Sequence, residues 1–231
     1  MDPPKLSTMV VLYNMNFKIQ TDAILEHLPL NESIIKIEKR GVLRRGESSR
    51  DKIKRRSKQE VKNKTGFGHN SITIVMMNNG DGTFPMKEIT VKIFQNGVFH
   101  LTGVLDDSYD KACMKILCDM LWQIPVITEK PETPEIVRRR VVLMNYTTEL
   151  NPKSTVPREA FYNILKKVPG IAPSYNPDVY PGIKIQFENN WTAKIFRTGK
   201  IILTGITTKK DCEIFVGLLE QLLKNHLPKT K

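Results

Sequence analysis

A twelve-residue string occurs twice in this chain. KIFQNGVFHLTG occupies 92–103 and KIFRTGKIILTG occupies 194–205, with seven identical positions at a constant offset of 102. A second pair, VVLYN at 10–14 and VVLMN at 141–145, lies at an offset of 131. Self-similarity over such a distance predicts two copies of one supersecondary unit, and it constrains the fold more than any single motif does.

Each copy predicts the same order of elements, β-α-β-β-β-α. A first strand, about 8–17 or about 139–148, precedes a short helix, three strands joined by hairpins and a long amphipathic helix. Two copies joined edge to edge predict one antiparallel sheet with four helices over one face, which is an α+β fold. The long helices are predicted to turn to the core Ala112, Ile116, Met120 and Leu121 in one copy and Ile214, Leu218, Leu222 and Leu223 in the other.

The fall of the offset from 131 to 102 places additional residues inside the first copy. About twenty lie before the strand at 72–76, and nine lie in the turn-rich hairpin at 78–86. The predicted division is therefore a first repeat at 1–124 with an insertion near 36–66, a connector at 125–138 with three prolines, and a second repeat at 139–231.

The insertion carries most of the chain's charge. The net charge is +12, and residues 36–64 supply +9 of it, with thirteen Lys or Arg against four Asp or Glu. A charge of this size suggests a polyanionic partner, whereas a solvated loop or a nuclear-import signal are the alternatives for the run itself. The basic residues of the insertion include Arg44, Arg45, Lys54, Arg55 and Arg56.

Several classes of function find no support in the sequence. There is no run of eighteen apolar residues and no signal-peptide pattern, which predicts an intracellular protein without a membrane span. The three cysteines and four histidines show no metal-binding spacing, and no catalytic or nucleotide-binding motif occurs. We therefore expect a binding protein without cofactor or metal rather than an enzyme.

Strand alternation assigns side chains to an open face of the sheet, away from the helices. That face receives Lys194, Phe196, Lys200, Ile202 and Thr204 in the second copy, Lys92, Phe94, Val98, His100 and Thr102 in the first, and Val10, Leu12, Asn14, Val141, Leu143 and Asn145 from the first strands. A dimer or a further domain covering this face is the alternative left open. An apolar strip with cationic edges suits the DNA minor groove, whose floor presents mostly acceptors.

The paired F-x-x-G-x-x-x-x-T-G strings, together with SYNPDVYPGIKIQF at 174–187, resemble the TATA-box-binding protein (TBP) family. The resemblance covers 8–124 and 139–228 and is weaker in the first part. It implies a curved, saddle-shaped sheet with the helices on its convex face. The family is itself the type example of minor-groove kinking by apolar wedges, so that mechanism comes with the resemblance. It implies a transcription initiation factor that bends promoter DNA as a monomer and recruits a TFIIB-like factor and RNA polymerase.

The resemblance assigns a role to individual residues. The DNA wedges fall on Phe94, Phe196, Tyr180 and His69, with Phe67 two residues before His69. The groove contacts fall on Thr102, Thr204, Leu12, Leu143, Val10, Val141, Asn14, Asn145 and Ile202. The phosphate contacts fall on Thr198, Lys200, Asn96, Lys184, Gln186 and Lys194, and the partner-binding acid is Asp178.

The chain also departs from the family pattern. Val10 and Val141 stand where the family has base-bonding asparagines, and His69 stands at a wedge position. These changes imply relaxed TATA preference, and they leave a protein-interaction or architectural DNA-binding module with the same fold as the alternative. The style of divergence suggests a large DNA virus, and hence the nucleus or a viral replication site.

Overall fold

The computed structural model describes residues 1–52, 71–129, 131–151 and 155–228. The chain forms two compact units. The repeat-1 unit comprises Val10–Arg140, and the repeat-2 unit comprises Met1–Met9 together with Val141–Lys231. These are spatial units, whereas the predicted boundaries at 124 and 139 concern the sequence repeats and stay a prediction.

The elements alternate strands and helices as the repeats require. The strands are β1 (Lys5–Met15), β2 (Lys18–Ile19), β3 (Ile34–Lys39), β4 (Leu43–Gly46), β5 (Ser71–Asn78), β6 (Lys87–Phe94), β7 (Val98–Val104), β8 (Ile127–Glu129), β9 (Ile136–Glu149), β10 (Ile171–Asn176), β11 (Tyr180–Phe187), β12 (Thr192–Ile195) and β13 (Lys200–Ile206). The helices are α1 (Thr21–His27), α2 (Asp107–Trp122), α3 (Arg158–Leu165) and α4 (Lys209–His226), and a short 3₁₀ turn spans Ser49–Lys52. Among the described residues, no helix combines the length and the apolar character needed to cross a membrane.

Each unit has an antiparallel sheet with its helices packed on the buried face. In the repeat-1 unit the strand order is β1-β7-β6-β5-β3-β4, and in the repeat-2 unit it is β10-β11-β12-β13-β9. The strands β2 and β8 form a separate antiparallel pair. The α+β fold class is therefore confirmed in both repeats.

Each repeat has one more strand between its helices than the sequence predicted. The additional strands are β3 and β10, and the insertion contributes β4 as well. In β10 the sequence signal is weak because Pro173 interrupts it. Proline is tolerated there because β10 lies at the edge of its sheet and pairs with β11 alone.

The long helices begin at well-formed caps. The Asp106 side chain accepts a hydrogen bond from the Ser108 backbone N–H at the start of α2. At the start of α4, Thr208 and Asp211 form a reciprocal capping box. These caps satisfy backbone donors that a helix cannot pair internally, which fixes where the two helices start.

The predicted core stripes of both long helices are correct only at Leu121, Leu222 and Leu223. Buried positions are Tyr109, Asp110, Cys113, Met114, Leu117 and Leu121 in α2, and Cys212, Phe215, Leu219, Leu222 and Leu223 in α4. Ala112, Ile116 and Met120 are only half-buried, while Ile214 and Leu218 remain 48% and 44% exposed. Apolar side chains cover more of the α4 surface than the core can bury. The helix is oriented with Phe215 toward the core because burying this large aromatic side chain removes the most apolar area from water.

Candidate nucleic-acid interface

The open face of the repeat-2 unit follows the predicted alternation. Ile195, Ile201 and Leu203 have no exposed surface and face the helices. Phe196, Ile202 and Thr204 are partly exposed, Lys194 is partly exposed and Lys200 is exposed on the opposite face. The strand parity inferred from the sequence is therefore confirmed, and Phe196 is not part of the core.

Strand register brings two lysines together on this face. Lys184 of β11 lies directly opposite Lys194 of β12, and Lys194 lies opposite Ile202 of β13. Like charges at directly opposed positions of an antiparallel pair repel each other and weaken the pairing. An anion bound over the two ammonium groups would relieve that repulsion, so the register itself favours a polyanionic ligand.

Two aromatic rings form a pair beside these lysines. The Tyr180 and Phe196 ring centroids are 5.8 Å apart with an interplanar angle of 59°. The Lys194 Nζ lies 5.8 Å from the Tyr180 centroid, within the range of a cation–π contact. Tyr180 is 36% exposed, and partial burial raises the pKa of its hydroxyl, so the ring stays uncharged.

A glycine allows the rings to approach the backbone. A Cβ atom at Gly182 would lie 3.1 Å from Tyr180 Cε1 and 3.3 Å from both Phe196 Cε1 and the Ile195 carbonyl oxygen. Such distances are shorter than comfortable carbon contacts, so any side chain at this position would push the rings outward. The pair therefore depends on the absence of a side chain at Gly182.

A pocket of about 480 Å³ lies next to Phe196 and combines cations with an apolar floor. Its lining consists of Arg158, Pro181, Phe196, Arg197, Thr198, Lys200 and Ile202. Arg158 and Arg197 are not predicted as site residues by the sequence analysis. Arg197 lies inside the repeated string next to Phe196, which is a signal that could have found it, whereas Arg158 comes from the start of α3 and has no local signal.

The open face of the repeat-1 unit has the same parity and less positive charge. Ile93, Phe99 and Leu101 are fully buried, and the five open-face residues of this copy are partly exposed: Lys92, Phe94, Val98, His100 and Thr102. Thr73 occupies the position opposite Lys92 that Lys184 occupies opposite Lys194, and Glu38 lies opposite Thr73. Thr73 therefore replaces one of the two opposed lysines, and the nearby Glu38 is itself paired with Lys36.

His100 distinguishes the two faces further. It lies opposite Lys92, at the position that Ile202 occupies in the other copy. Burial, and then the Lys92 charge, lower the pKa of the imidazole. The ring is therefore neutral near pH 7, and it presents polar atoms where the repeat-2 unit presents a hydrocarbon surface.

The first strands place their predicted contact residues outside the core. In β1 these are Val10, Leu12 and Asn14, which alternate with the buried Val11, Tyr13 and Met15. In β9, Leu143 and Asn145 alternate with the buried Met144 and Tyr146, whereas Val141 lies next to Val142, which is 36% exposed. The alternation agrees with the prediction in β1 and from Leu143 onward in β9, while the contact of these residues with DNA stays a prediction.

The remaining predicted polar contacts lie at the surface. Lys184, Gln186, Thr198, Lys200 and Asn96 are exposed, as is Asp178. The Asp178 backbone N–H donates to Asn176 Oδ1 at 3.1 Å, which forms a tight turn before Tyr180. The neighbouring Val179 is 81% exposed, so the turn projects an acid and an aliphatic side chain into solvent.

The basic insertion makes structural contacts at its start. Arg45 Nη1 donates to the Leu25 and Leu28 carbonyl oxygens at 2.7 and 3.0 Å, at the C-terminal end of α1. Arg44 Nη2 pairs with Asp51 Oδ2 at 2.5 Å. Both guanidinium groups therefore have partners within the chain. The other predicted residues, Lys54, Arg55, Arg56, Phe67 and His69, lie outside the described residues.

Comparison with known proteins reveals similarity in both sequence and fold. A family model described as transcription factor TFIID, or TATA-binding protein (TBP), matches residues 160–226. TATA-box-binding proteins from Pyrobaculum neutrophilum and Pyrobaculum aerophilum are each 42% identical over 53 residues, which cover 22% of this chain and 27% of the relative. A solved structure of Methanococcus jannaschii TBP aligns with a TM-score of 0.60 over 96% of this chain and 98% of that chain, at 15% identity. Residues 160–226 therefore match the TBP family in sequence, and the chain has the TBP fold.

The similarity in sequence is concentrated in the second repeat. The segment 160–226 contains Tyr180, Lys184, Lys194 and Phe196. The match with the curated relatives spans only about a quarter of their length, 27%. The structural alignment extends the TBP fold over nearly the whole chain, including the first repeat. The viral source suggested by the sequence stays a prediction.

Proposed function

We propose that this chain is a TBP-like transcription initiation factor that binds promoter DNA in the minor groove and kinks it. The observation that carries the proposal is the Tyr180–Phe196 ring pair, which lies on the open face of the sheet beside the opposed lysines Lys184 and Lys194. The rings supply the wedge and the lysines supply the attraction for the DNA backbone.

The wedge follows from the chemistry of the groove. The minor-groove floor offers few donors, so a hydrocarbon surface such as that of Ile202 and Phe196 loses little on contact. A ring that enters a base step unstacks it at a cost of a few kcal/mol, and the bent duplex then contacts more protein surface. Phe94 supplies the equivalent ring in the repeat-1 unit.

Phosphate contacts accompany the wedge. Thr198 lies in the turn between β12 and β13, and Lys200 is the first residue of β13. Lys184 and Gln186 are exposed on β11. Asn96 takes the place of Thr198 in the first repeat, where Val98 replaces the lysine. Each lysine that neutralises a phosphate adds affinity that falls with salt concentration.

The central residues favour a broad choice of sites. Val10 and Val141 carry no hydrogen-bonding side chain, so they form no hydrogen bonds to the bases. Asn14 and Asn145 lie four positions further along the same strands, and they supply the polar contacts of these strands. We infer relaxed TATA preference, which also favours an architectural DNA-binding role as the second candidate. Selection of bound duplexes from a random pool separates the two, because a promoter factor enriches a defined sequence.

Recruitment of the transcription machinery is assigned to the turn before Tyr180. Asp178 and Val179 project from it and offer a charge and an apolar surface for a TFIIB-like factor. That factor in turn recruits RNA polymerase to the promoter, in the nucleus or at a viral replication site. Replacing Asp178 by Lys would test this step in a gel-shift assay, since it should abolish the ternary complex and leave the binary one intact.

The decisive test of DNA bending uses Phe196→Ala. In a duplex labelled at both ends, energy transfer rises when wild-type protein bends the DNA, and we expect this rise to disappear in the variant while the circular dichroism spectrum is unchanged. Ile214→Ala is the matched control, because Ile214 is exposed on α4, away from the open face. Equal bending by wild type and Phe196→Ala would refute the wedge role.

A protein-interaction module remains the competing class, and salt dependence distinguishes it. Binding through phosphates weakens steeply between low and moderate salt, whereas an apolar protein interface does not. A flat salt response of the tightest complex would favour the interaction module.

A further inference from the structure

The first residue of α3 contacts the strand that carries Tyr180. The Arg158 Nη1 donates a hydrogen bond to the carbonyl oxygen of Pro181, which follows Tyr180 and precedes Gly182. The guanidinium carbon also lies 5.4 Å from the Tyr175 ring centroid on β10. One side chain therefore joins α3, β10 and β11 at the base of the Tyr180–Phe196 pair.

This contact belongs to a series in which two rings lie between two cations. The Lys166 Nζ lies 4.8 Å from the Tyr162 ring centroid, and the Tyr162 and Tyr175 centroids are 6.0 Å apart. Cation–π contacts of this length are attractive, and they are stronger where water is excluded. The series fixes the edge strand β10 to α3 and ends at Arg158, which passes the restraint to Pro181.

We infer that Arg158 is a positioning residue that holds Tyr180 against Phe196, so that the two rings enter a base step as one preformed wedge. The inference rests on the proposed function. Tyr180 follows a short turn at the end of the sheet, and a ring in such a turn loses conformational entropy when it is ordered by the ligand. Ordering it before binding lowers that cost and favours the bent complex.

The guanidinium is suited to this task in a way that an ammonium group is not. Its carbon lies over the Tyr175 ring at cation–π distance while its Nη1 donates to the Pro181 carbonyl oxygen, so the delocalised, multi-donor group makes both contacts at once. A lysine at this position provides one of the two contacts at a time. Arg158→Lys therefore preserves charge and removes the geometry, which makes it the critical variant.

A direct phosphate contact is the other role open to Arg158, because it lines the same pocket as Arg197 and Lys200. The two roles differ in their salt dependence. Removing one phosphate contact lowers the slope of log K against log salt by about 0.9, whereas removing a positioning residue leaves the slope unchanged. Arg197→Ala is the matched control, since its side chain is exposed at the turn beside Phe196.

The experiment measures end-to-end energy transfer and binding of a labelled duplex over a salt series. We expect Arg158→Lys and Arg158→Ala to reduce the bent fraction at saturating protein several-fold with the wild-type salt slope, and Arg197→Ala to lower the slope while it keeps the bend. Tyr175→Leu removes the aromatic ring of the cation–π contact without changing a charge, and it should reproduce the Arg158→Lys result if Arg158→Ala fails to fold.

Each outcome decides between the ideas. Wild-type bending by Arg158→Lys and Tyr175→Leu would overturn the positioning role of Arg158. A salt slope that falls in Arg158→Ala as it does in Arg197→Ala would overturn it as well. Straight DNA with the wild-type protein refutes the proposed function instead. The two failures are therefore distinguishable in one set of measurements.

Discussion

Gly182 is the residue on which the ring pair most directly depends. An added Cβ would lie within 3.1–3.3 Å of Tyr180, Phe196 and the Ile195 carbonyl, so the rings must move by a few tenths of an ångström. This requirement is steric, because Gly182 is not among the glycines with positive φ. The residue therefore acts through the shape of its neighbours.

We expect Gly182→Ala to lower the bent fraction of DNA and to destabilise the fold by about 1 kcal/mol through overpacking. Gly217→Ala is the matched control, because no heavy atom outside its own helix lies within 4 Å of the new Cβ. In a helix interior that change stabilises by about 0.5–1 kcal/mol. Urea denaturation and energy transfer measure the two effects, and unchanged bending by Gly182→Ala would contradict the steric argument.

At the residue level, the sequence predicts faces better than contacts. Alternation places Phe196 and Ile202 on the open side because side-chain direction in a strand depends only on parity. The hydrogen bond from Arg158 to Pro181 joins residues 23 positions apart across three elements. No local pattern encodes it, because it depends on how α3 packs beside the edge of the sheet.

At the level of elements, the repeats share their order and differ in how their helices are anchored. In the repeat-1 unit, Tyr13 Oη donates to Asp110 Oδ2 at 2.5 Å, and Arg139 Nε donates to the same oxygen at 2.7 Å. Asp110 is fully buried in α2. Burial and this hydrogen bond raise the pKa of Tyr13, while the carboxylate raises the pKa of Arg139. At the equivalent offsets the second repeat has Met144 and Cys212, which are apolar.

The cluster explains why the α2 stripe could not be predicted from hydrophobicity. Its buried face includes the charged Asp110, so an apolar pattern selects the adjacent stripe of Ala112 and Ile116 instead. The ion pair with Arg139 and the hydrogen bond from Tyr13 make that burial tolerable, and such distant partners leave no local signal. The strand β10 escaped prediction for a similar reason, since its edge position is what permits Pro173.

Removal of the cation tests this anchoring. We expect Arg139→Ala to lower the free energy of unfolding by about 3 kcal/mol, because the Asp110 carboxylate would stay buried without its ion pair. Adding Asp110→Leu should recover part of that stability, since no charge then remains in the interior. Urea titrations of both variants measure the difference. Equal stability of the single and double variants would show that the carboxylate gains another partner.

At the scale of the whole molecule, charge separates the two units. The open face of the repeat-2 unit has Lys184 opposite Lys194, whereas the repeat-1 unit has Thr73 opposite Lys92 with Glu38 beyond. The net charge of +12 lies mainly in the insertion, yet Arg44 and Arg45 are engaged within the fold. A role of the remaining insertion residues in DNA binding stays a prediction, and under the proposed function the described faces make repeat 2 the stronger site for the DNA backbone.

This asymmetry predicts unequal salt effects. We expect Lys184→Ala with Lys194→Ala to lower the slope of log K against log salt by up to about 1.8, because each lysine that neutralises a phosphate adds about 0.9, and Thr73→Lys to raise it by about 0.9. Lys111→Ala is the control, because Lys111 is exposed on α2 and should leave the slope unchanged. Binding isotherms from about 50 to 200 mM salt provide these slopes.

Because the opposed lysines repel each other in the free protein, the double variant should also unfold at slightly higher urea concentration. Lower stability together with an unaltered slope would mean that the lysines support the sheet rather than the DNA.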